Sequence, residues 1–437
     1  MKYTLFLLFL LPFALLSQSD TCLNYSEIGI SFPPVADQTQ RDFAQLHLDE
    51  LGVQRIRFAE DWSLREPTQG NFNWGPLDER ISWASSNNYD VLLTIQSRGP
   101  SWACGNQNGQ SCVFLDNAYF QTYLDSLLQR YPNQIDKIQF GNEWQSDFWY
   151  VGNAQEFIES NNTLYNSVQT YSPTTQVVLG GFTTISLRFL AACNGYDVEF
   201  YDDDGNFYDS TLLSSLCNDP AILSVRNRID SVLTFANYDQ LDIHLYDDVE
   251  LWPILYENFT DTLNKPVIVS EFGGPNMFLE PYSEAYQADK LFEYIKVLDS
   301  LEIPEIYYFK LVEGTANPAH STSGLIEDTT LATKAAYYII QSFINCNSAG
   351  LVFPEINGLK FYPNPAKDWI SFEFDNPDLL ENNVVIYNAK GELIFEQVNA
   401  FSNYFYLSTK NIASGAYYIY VRSENKLLGK GKIIVSR

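Results

Sequence analysis

The sequence predicts an α/β chain, a (β/α)8 TIM barrel followed by a small all-β sandwich domain. Between residues 28 and 346, short β-rich runs alternate with longer amphipathic stretches, whereas later residues form only short strand-like runs separated by turns. The alternation indicates βα units around a parallel sheet, and eight such units close a barrel. An open doubly wound sheet is the alternative, but no glycine-rich phosphate loop follows the first strand, which disfavours that fold.

Eight barrel strands are predicted from short runs that end at turn residues. They lie at 27–32, 54–59, 90–95, 136–141, 176–181, 240–246, 266–271 and 305–310. Apolar residues three and four apart predict helices at 41–52, 120–131 and 285–301.

The segment 195–237 is long for one connection and is expected to contain an insertion as well as a helix. Its acidic run 201–209 has some likeness to a calcium loop. The spacing departs from the EF-hand pattern, so a solvated acidic loop is favoured.

Charge separates the two predicted domains, a barrel at 19–346 and a sandwich at 360–437 joined by a linker at 347–359. The chain has 26 basic and 54 acidic residues, and the excess of negative charge lies before residue 360. Such a surface repels nucleic acid and anionic membranes, so no nucleic-acid partner is expected.

The first 18 residues have the layout of a secretory signal peptide, with Lys2 ahead of an apolar run and small polar residues after it. The apolar run ends near Leu16, short of the ~20 residues that span a bilayer. The sequence therefore predicts export, a secreted or cell-surface location and no stable insertion into a membrane.

Six cysteines in an exported chain predict disulfides. Pairing between sequence neighbours would join Cys104 to Cys112 and Cys193 to Cys217, and would leave Cys22 with Cys346; other connectivities stay open. With three histidines and no clustered Cys and His, no metal site and no cofactor are expected.

Two glutamates are candidate catalytic residues, because active sites of this barrel lie at the carboxyl ends of its strands. Glu143 closely follows the fourth predicted strand and Glu271 ends the seventh. Two facing carboxylates suit hydrolysis of a glycosidic bond, in which one donates a proton and the other attacks carbon. In the alternative interpretation, each glutamate pairs with an arginine and completes the barrel rim.

Several motifs carry a family resemblance. The stretch 52–95, with GPSWA at 99–103, GNEW at 141–144, HLY at 244–246 and SEFGG at 270–274, resembles clan A glycoside hydrolases, whose barrels are retaining. The resemblance spans almost all of residues 27–345.

This resemblance implies roles for individual residues. Glu143, with Asn142 before it, resembles the acid/base, and Glu271 resembles the nucleophile. Arg57 resembles the arginine that stabilises the nucleophile's charge, and Tyr246 the tyrosine that orients it. A retaining mechanism predicts carboxyl groups about 5–5.5 Å apart, against about 6.5–9.5 Å for an inverting enzyme.

His244 matches the family's histidine on the sixth strand, although a packed histidine inside the barrel is an equal alternative. Near the eighth strand, Phe309 and Lys310 stand where relatives usually have a tryptophan. Four tryptophans near strand ends are candidates for stacking on sugar rings, Trp102 and Trp144 ahead of the other two, Trp149 and Trp252.

The terminal module has a second resemblance. FYPNPAKDWISFEF at 361–374, VVIYNAKGELI at 384–394 and NIASGAYYIYV at 411–421 resemble the C-terminal sorting domain of the type IX secretion system of Bacteroidetes. That likeness implies an address recognised by the type IX machinery, and export through the periplasm and outer membrane. A carbohydrate-binding module is disfavoured, because Trp369 is its one tryptophan.

These features together predict a secreted retaining glycosidase acting on a carbohydrate substrate. A non-catalytic glycan-binding barrel, as an adhesin or pseudoenzyme, is the alternative. A serine hydrolase is disfavoured, because no GxSxG motif occurs. An anionic glycan would need a basic patch, for which Arg98 is the nearest candidate.

Overall fold

The protein is described here by a computed structural model. It describes residues 28–260, 263, 265–278, 282–314, 317–344, 360–373, 382–388, 393–400, 404–423 and 426–436. The predicted signal peptide, the predicted linker and the predicted Cys22–Cys346 pair lie outside these residues.

Eight parallel strands close a barrel in the order β1-β8-β7-β6-β5-β4-β3-β2. All eight predicted strands are confirmed, with bounds that shift by a few residues. The strands are β1 Ile28–Ser31, β2 Arg55–Glu60, β3 Asp90–Ile95, β4 Lys137–Phe140, β5 Gln176–Phe182, β6 Gln240–Tyr246, β7 Val267–Gly273 and β8 Ile306–Tyr308.

Helices lie between the strands and cover the barrel. They are Gln38–Leu51, Trp62–Arg65, Gly75–Ser86, Asn117–Arg130, Ala154–Tyr171, Thr184–Cys193, Ser210–Leu216, Pro220–Phe235, Trp252–Thr260, Glu284–Ser300 and Ala335–Ile344. The three predicted helices are confirmed and begin one to three residues early, because Asp37, Asp116 and Ser283 cap their first turns.

The barrel interior has an apolar layer with a polar layer above it. Leu92, Val178, Ile268 and Tyr307 form a separate buried cluster inside the strands. Gly29 on β1 leaves room for this cluster, since a Cβ there would meet the Tyr307 ring at 2.4 Å. The polar layer above this cluster contains the residues of the candidate site.

Two disulfides hold segments at the top of the barrel. Cys104–Cys112 closes a hairpin of Cys104–Gln107 and Cys112–Phe114. Cys193–Cys217 closes the insertion that follows β5. Both predicted pairings are therefore confirmed.

The C-terminal module contains two antiparallel sheets over one hydrophobic cluster. One has strands Lys360–Tyr362, Trp369–Glu373 and Tyr404–Ser408, and the other has Asn382–Asn388, Leu393–Ala400, Gly415–Ser423 and Lys426–Val435. Ile370 of the first sheet and Val384 and Ile419 of the second lie in the shared cluster. This arrangement is the two-sheet packing expected of a small sandwich.

Among the residues that the structure describes, no helix is long and apolar enough to cross a membrane.

Candidate active site

Arg57 is the central cation of the site. It projects from β2, is fully buried, and donates from Nη1 to Oε1 of Glu271 at 2.5 Å. Its other nitrogens donate to Asn142 Oδ1 at 2.7 Å and Thr94 Oγ1 at 3.0 Å. One guanidinium thus fixes groups from strands β3 and β7 and from the loop after β4, as its planar set of donors allows.

Glu271 lies within β7 and receives a second donor. The hydroxyl of Tyr246, at the end of β6, donates to Oε2 at 2.9 Å. Burial raises the pKa of Tyr246 well above its usual value, and the charge of Glu271 raises it further, so the hydroxyl keeps its proton. The β6–β7 register shifts at Ile243 and His244, and such a bulge changes the direction of the side chains beside it.

Glu143 reaches the same cavity from a tight turn after β4. Its φ is 49° and that of Gly141 is 72°. A positive φ at a residue other than glycine costs energy and is concentrated at functional positions. The Glu143 side chain remains 18% exposed, so the turn directs a carboxylate into the cavity instead of burying it.

His244 contacts both glutamates from inside the barrel. Its Nδ1 is 2.8 Å from Glu143 Oε1, and its Nε2 is 3.7 Å from Glu271 Oε1 and 3.5 Å from Asp242 Oδ2. Burial by itself lowers the pKa of His244, but the three carboxylates outweigh it and raise the pKa to about 10. His244 is therefore a cation at neutral pH. It is fully buried, as in the packed alternative, and it also contacts both candidate catalytic carboxylates.

A chain of buried hydrogen bonds supports this arrangement from below. Thr94 donates to Gln139 Oε1 at 2.9 Å, and Gln139 donates to Asp242 Oδ2 at 2.7 Å. Asp242 also accepts from the backbone N–H and the hydroxyl of Ser270. Because each buried polar group has its partner, the network holds Arg57 and His244 in single positions.

A cavity of about 560 Å³ lies above these residues. Residues at or after every one of the eight strands line it, including Phe32, Ala59, Ser97, Asn142, Glu143, Trp149, Thr183, Tyr246, Glu271, Phe309 and His320. One oxygen each of Glu143 and Glu271 and one nitrogen of His244 lie within 4.8 Å of one another.

The three atoms could hold a metal ion by their spacing alone. A metal would need the neutral imidazole as a ligand, whereas the pKa of His244 is raised to about 10. The Arg57 guanidinium, at 2.5 Å, already provides Glu271 with a positive partner. These charges favour proton transfer by the two carboxylates over binding of a metal ion.

Trp102 and Trp144, the two tryptophans first expected to stack on sugars, do not line the cavity. Trp144 is fully buried, donates to the Gly180 carbonyl and stacks on Phe157. Trp102 donates to the Glu66 carbonyl at 3.1 Å and is not among the lining residues. Both indoles therefore pack against protein, because each finds a carbonyl acceptor and aromatic neighbours there.

Trp252 is also buried and donates to the Asp247 carbonyl. Of the four candidate tryptophans, Trp149 is the one that lines the cavity. Phe309, at the eighth strand, lines it as well.

Two residues of the site, Gly181 and His320, are not among the predicted site residues. Gly181 gives space to His244, since a Cβ at Gly181 would lie 2.1 Å from His244 Nε2. The paired glycines at the end of β5 were the available clue. His320 lies against the Tyr246 ring with centroids 4.6 Å apart, and it comes from a loop after β8 that no pattern predicted.

Comparison with known proteins gives relatives for both parts of the chain. Residues 360–436 match the family of the secretion system C-terminal sorting domain. Endo-1,4-beta-xylanase A of Fusarium oxysporum f. sp. lycopersici is 32% identical over 99 residues, which are 22% of this chain and 29% of the xylanase. The match therefore spans less than a third of that relative.

Solved structures share the fold at low identity. A family 39 glycoside hydrolase from the gut symbiont Bacteroides cellulosilyticus has a TM-score of 0.54 and 11% identity, covering 94% of this chain and 81% of that one. A glucosidase from Croceicoccus marinus has a TM-score of 0.51 and 12% identity, covering 87% and 92%. The chain thus combines a closed (β/α)8 barrel, similar in fold to these solved glycoside hydrolases, with a C-terminal domain at 360–436 that matches the secretion system sorting family.

Proposed function

We propose that this protein is a secreted retaining glycoside hydrolase, which cleaves O-glycosidic bonds of an oligo- or polysaccharide by double displacement. Glu271 is the nucleophile and Glu143 the general acid and base. The observation that carries the proposal is the spacing of these two groups, since one oxygen of Glu143 lies within 4.8 Å of one oxygen of Glu271. That spacing agrees with the ~5–5.5 Å typical of retaining enzymes and leaves too little room for the water of an inverting one.

The different surroundings of the two carboxylates support the division of roles. Glu271 accepts hydrogen bonds from Arg57 and Tyr246, which stabilise an anion and aim its oxygens. Glu143 contacts His244 and stays partly open to the cavity. In the first step Glu271 attacks the anomeric carbon, the bond to the leaving oxygen breaks, and Glu143 gives that oxygen its proton.

In the second step Glu143 acts as a base. It takes a proton from water as the water oxygen attacks the anomeric carbon, and the bond from Glu271 to the sugar breaks. Between the steps Glu143 is ionised, and the cationic His244 at 2.8 Å stabilises that state. The proton returns to Glu143 at the end of the cycle.

The cavity favours a neutral glycan over an anionic one. Six carboxylates line it, those of Glu143, Glu271, Asp202, Asp203, Asp204 and Asp247. The basic lining residues Arg188 and His320 each face carboxylates. Arg98, the basic candidate from the sequence, forms an ion pair with Asp61. A uronic acid would therefore meet negative charge, because each basic residue among the described lining residues already faces a carboxylate.

Two further side chains suit sugar binding. The amide oxygen of Asn142 accepts a hydrogen bond from Arg57. Its amide nitrogen can therefore donate to a sugar hydroxyl. Trp149 lies on the cavity wall and offers an aromatic face for stacking. It takes the role that the sequence had suggested for Trp102 and Trp144.

The sorting domain supports export of the enzyme. Its match to a secretion sorting family, together with the signal-peptide layout, fits passage through the periplasm and the type IX machinery to the cell surface or beyond. The carbohydrate substrate would then be met outside the cell.

The test is hydrolysis by the chain without its signal peptide, residues 19–437. The probes are p-nitrophenyl β-glycosides of glucose, xylose, mannose, galactose and glucuronic acid, with xylan, mannan and hydroxyethyl cellulose. We expect turnover of a neutral probe and none of the glucuronide, with the anomer of the first product retained by NMR. Glu271→Ala should lower turnover by at least about 10³-fold, while Glu159→Gln on an exposed helix should not change it.

Glycan binding without turnover would instead favour the non-catalytic barrel. Azide adds a sharper check, because this small anion can occupy the space left by a shortened carboxylate. Azide should restore turnover of activated aryl glycosides by Glu271→Ala with an α-glycosyl azide as product, and by Glu143→Ala with a β-glycosyl azide. Products of one configuration from both variants would contradict the assigned roles.

A further inference from the structure

The insertion wall, residues 196–217, forms one side of the candidate active site. It follows β5 and is tied at its base by the disulfide Cys193–Cys217. Its centre is a hairpin of Phe200–Tyr201 and Phe207–Tyr208. The wall places three consecutive aspartates, residues 202 to 204, on the cavity lining.

The insertion wall is packed firmly onto the barrel. Val198, Phe200 and Leu213 are almost fully buried. Phe200 stacks on Tyr208 with centroids 5.1 Å apart. Arg188, on the helix after β5, donates to the carbonyl of Tyr201 at 3.0 Å. These contacts hold the hairpin at the rim of the barrel.

The tip of the wall reaches the opposite loop. Asn317, after β8, donates to Asp203 Oδ2 at 3.0 Å, and His320 Nε2 lies 3.9 Å from Asp203 Oδ1. In the barrel, β6 and β7 lie between β5 and β8. The contact therefore passes over the ends of the two strands that carry Tyr246 and Glu271.

His320 links the contact at Asp203 to the proposed nucleophile through Tyr246. His320 is buried, faces Asp247 at 3.7 Å and packs on the Tyr246 ring. Tyr246 in turn donates to Glu271. A sugar bound at Glu271 thus has the insertion wall and the loop after β8 beside it, and Asp203 joins these two segments through Asn317 and His320.

We propose that the insertion wall ends the substrate cleft above β6 and β7, so that the enzyme removes sugars from the end of a glycan chain. This inference rests on the proposed glycosidase function. Asp203 is its positioning residue, because its contacts with Asn317 and His320 close the gap between the two loops. An internal segment of a polysaccharide would have to pass through that gap.

The test compares end cleavage with internal cleavage, using xylan, mannan and hydroxyethyl cellulose with the aryl glycosides named above. New reducing ends, viscosity and product size are measured on the same samples. The wild-type chain should hydrolyse an aryl monoglycoside and release one short product from the matching polysaccharide while viscosity stays nearly constant.

Two variants open the wall. Asp203→Ala removes the contacts with Asn317 and His320. The double variant Cys193→Ser, Cys217→Ser removes the disulfide at the base of the wall. Loss of two polar contacts should favour the open position by about tenfold, so each variant should give a larger fall in viscosity per reducing end and a range of product sizes. Asp197→Ala, on an exposed position of the same wall, is the matched control and should behave as the wild type. Thermal unfolding of all variants separates a changed product pattern from a loss of folded protein.

A wild-type enzyme that quickly lowers viscosity and yields a ladder of products would overturn the proposal. Unchanged products from both opened variants would overturn the role of the wall. Absence of turnover on every probe would overturn the proposed function and, with it, this inference.

Discussion

The guanidinium of Arg57 and the carboxylate of Glu271 form a buried ion pair, in which Nη1 lies 2.5 Å from Oε1. The pair joins β2 to β7 across the top of the barrel. Its other partners, Thr94 and Asn142, lie on β3 and after β4. One residue therefore sets the position of the proposed nucleophile relative to the loop that carries the proposed acid.

Substitution of Arg57 should affect both catalysis and folding. Arg57→Lys keeps the charge, but one ammonium cannot reach three acceptors from different strands, so kcat should fall at least about 100-fold. Arg57→Met leaves Glu271 without its cation and should destabilise the fold by about 3–5 kcal/mol. Kinetics and urea unfolding measure the two effects. Arg130→Lys, at a surface pair with Asp78, is the control and should change neither.

The hydroxyl of Tyr246 should contribute to rate more than to stability. Tyr246→Phe removes the donor to Glu271 and keeps the ring that packs on His320, so kcat should fall by about 10²–10³ with little change in Tm. Tyr123→Phe removes another buried hydroxyl, one with no hydrogen-bond partner among the described residues. That control should keep full activity. Equal losses in both variants would contradict a specific role for Tyr246.

Gly181 should be intolerant of any side chain. In Gly181→Ala the new Cβ would lie 2.1 Å from His244 Nε2 and 2.8 Å from Asp242 Oδ2. The imidazole must then move, so activity should drop and the fold should lose about 1–3 kcal/mol. Gly75→Ala, where a Cβ meets nothing within 4 Å, should be neutral or slightly stabilising. An active Gly181→Ala enzyme would show that His244 need not stay in place.

The charge of His244 should make stability depend on pH. Its pKa is raised from 6.5 to about 10, so protonation contributes stability that is fully present below pH 6.5 and lost as the pH rises towards 10. His244→Gln should therefore destabilise the protein more near pH 6 than near pH 10. Urea unfolding at both pH values tests the sign.

His47 provides the opposite case. Burial lowers its pKa, although Glu50 raises it in part. The folded state therefore prefers the neutral ring. His47→Gln should destabilise the protein at least as much near pH 10 as near pH 6. The same trend in both variants would contradict the assignment of a buried cation at His244.

Trp149 and Trp102 should separate substrate binding from packing. Trp149→Ala removes an aromatic wall of the cavity and should raise KM by about tenfold with little change in Tm. Trp102→Ala removes edge contacts with Trp62 and Tyr119 and should lower Tm without a specific change in KM. A raised KM for Trp102→Ala alone would restore the interpretation made from the sequence.

The sequence by itself determined the barrel, both described disulfides, the terminal β domain and the candidate carboxylates. The reason is that these features depend on local patterns. Short, nearly continuous apolar runs form strands that are buried on both faces. Glu143 and Glu271 stand at or just after the ends of such runs, where this fold places its functional groups.

Tertiary structure decided which side chains meet. Trp144 is predicted as a sugar platform because it lies near a strand end, but its indole is buried in the core, where it donates to the Gly180 carbonyl. Gly181 matters only because β6 brings His244 against it. Asp203 meets Asn317 across 114 positions of sequence, a contact that no local pattern specifies, because closure of the barrel creates it.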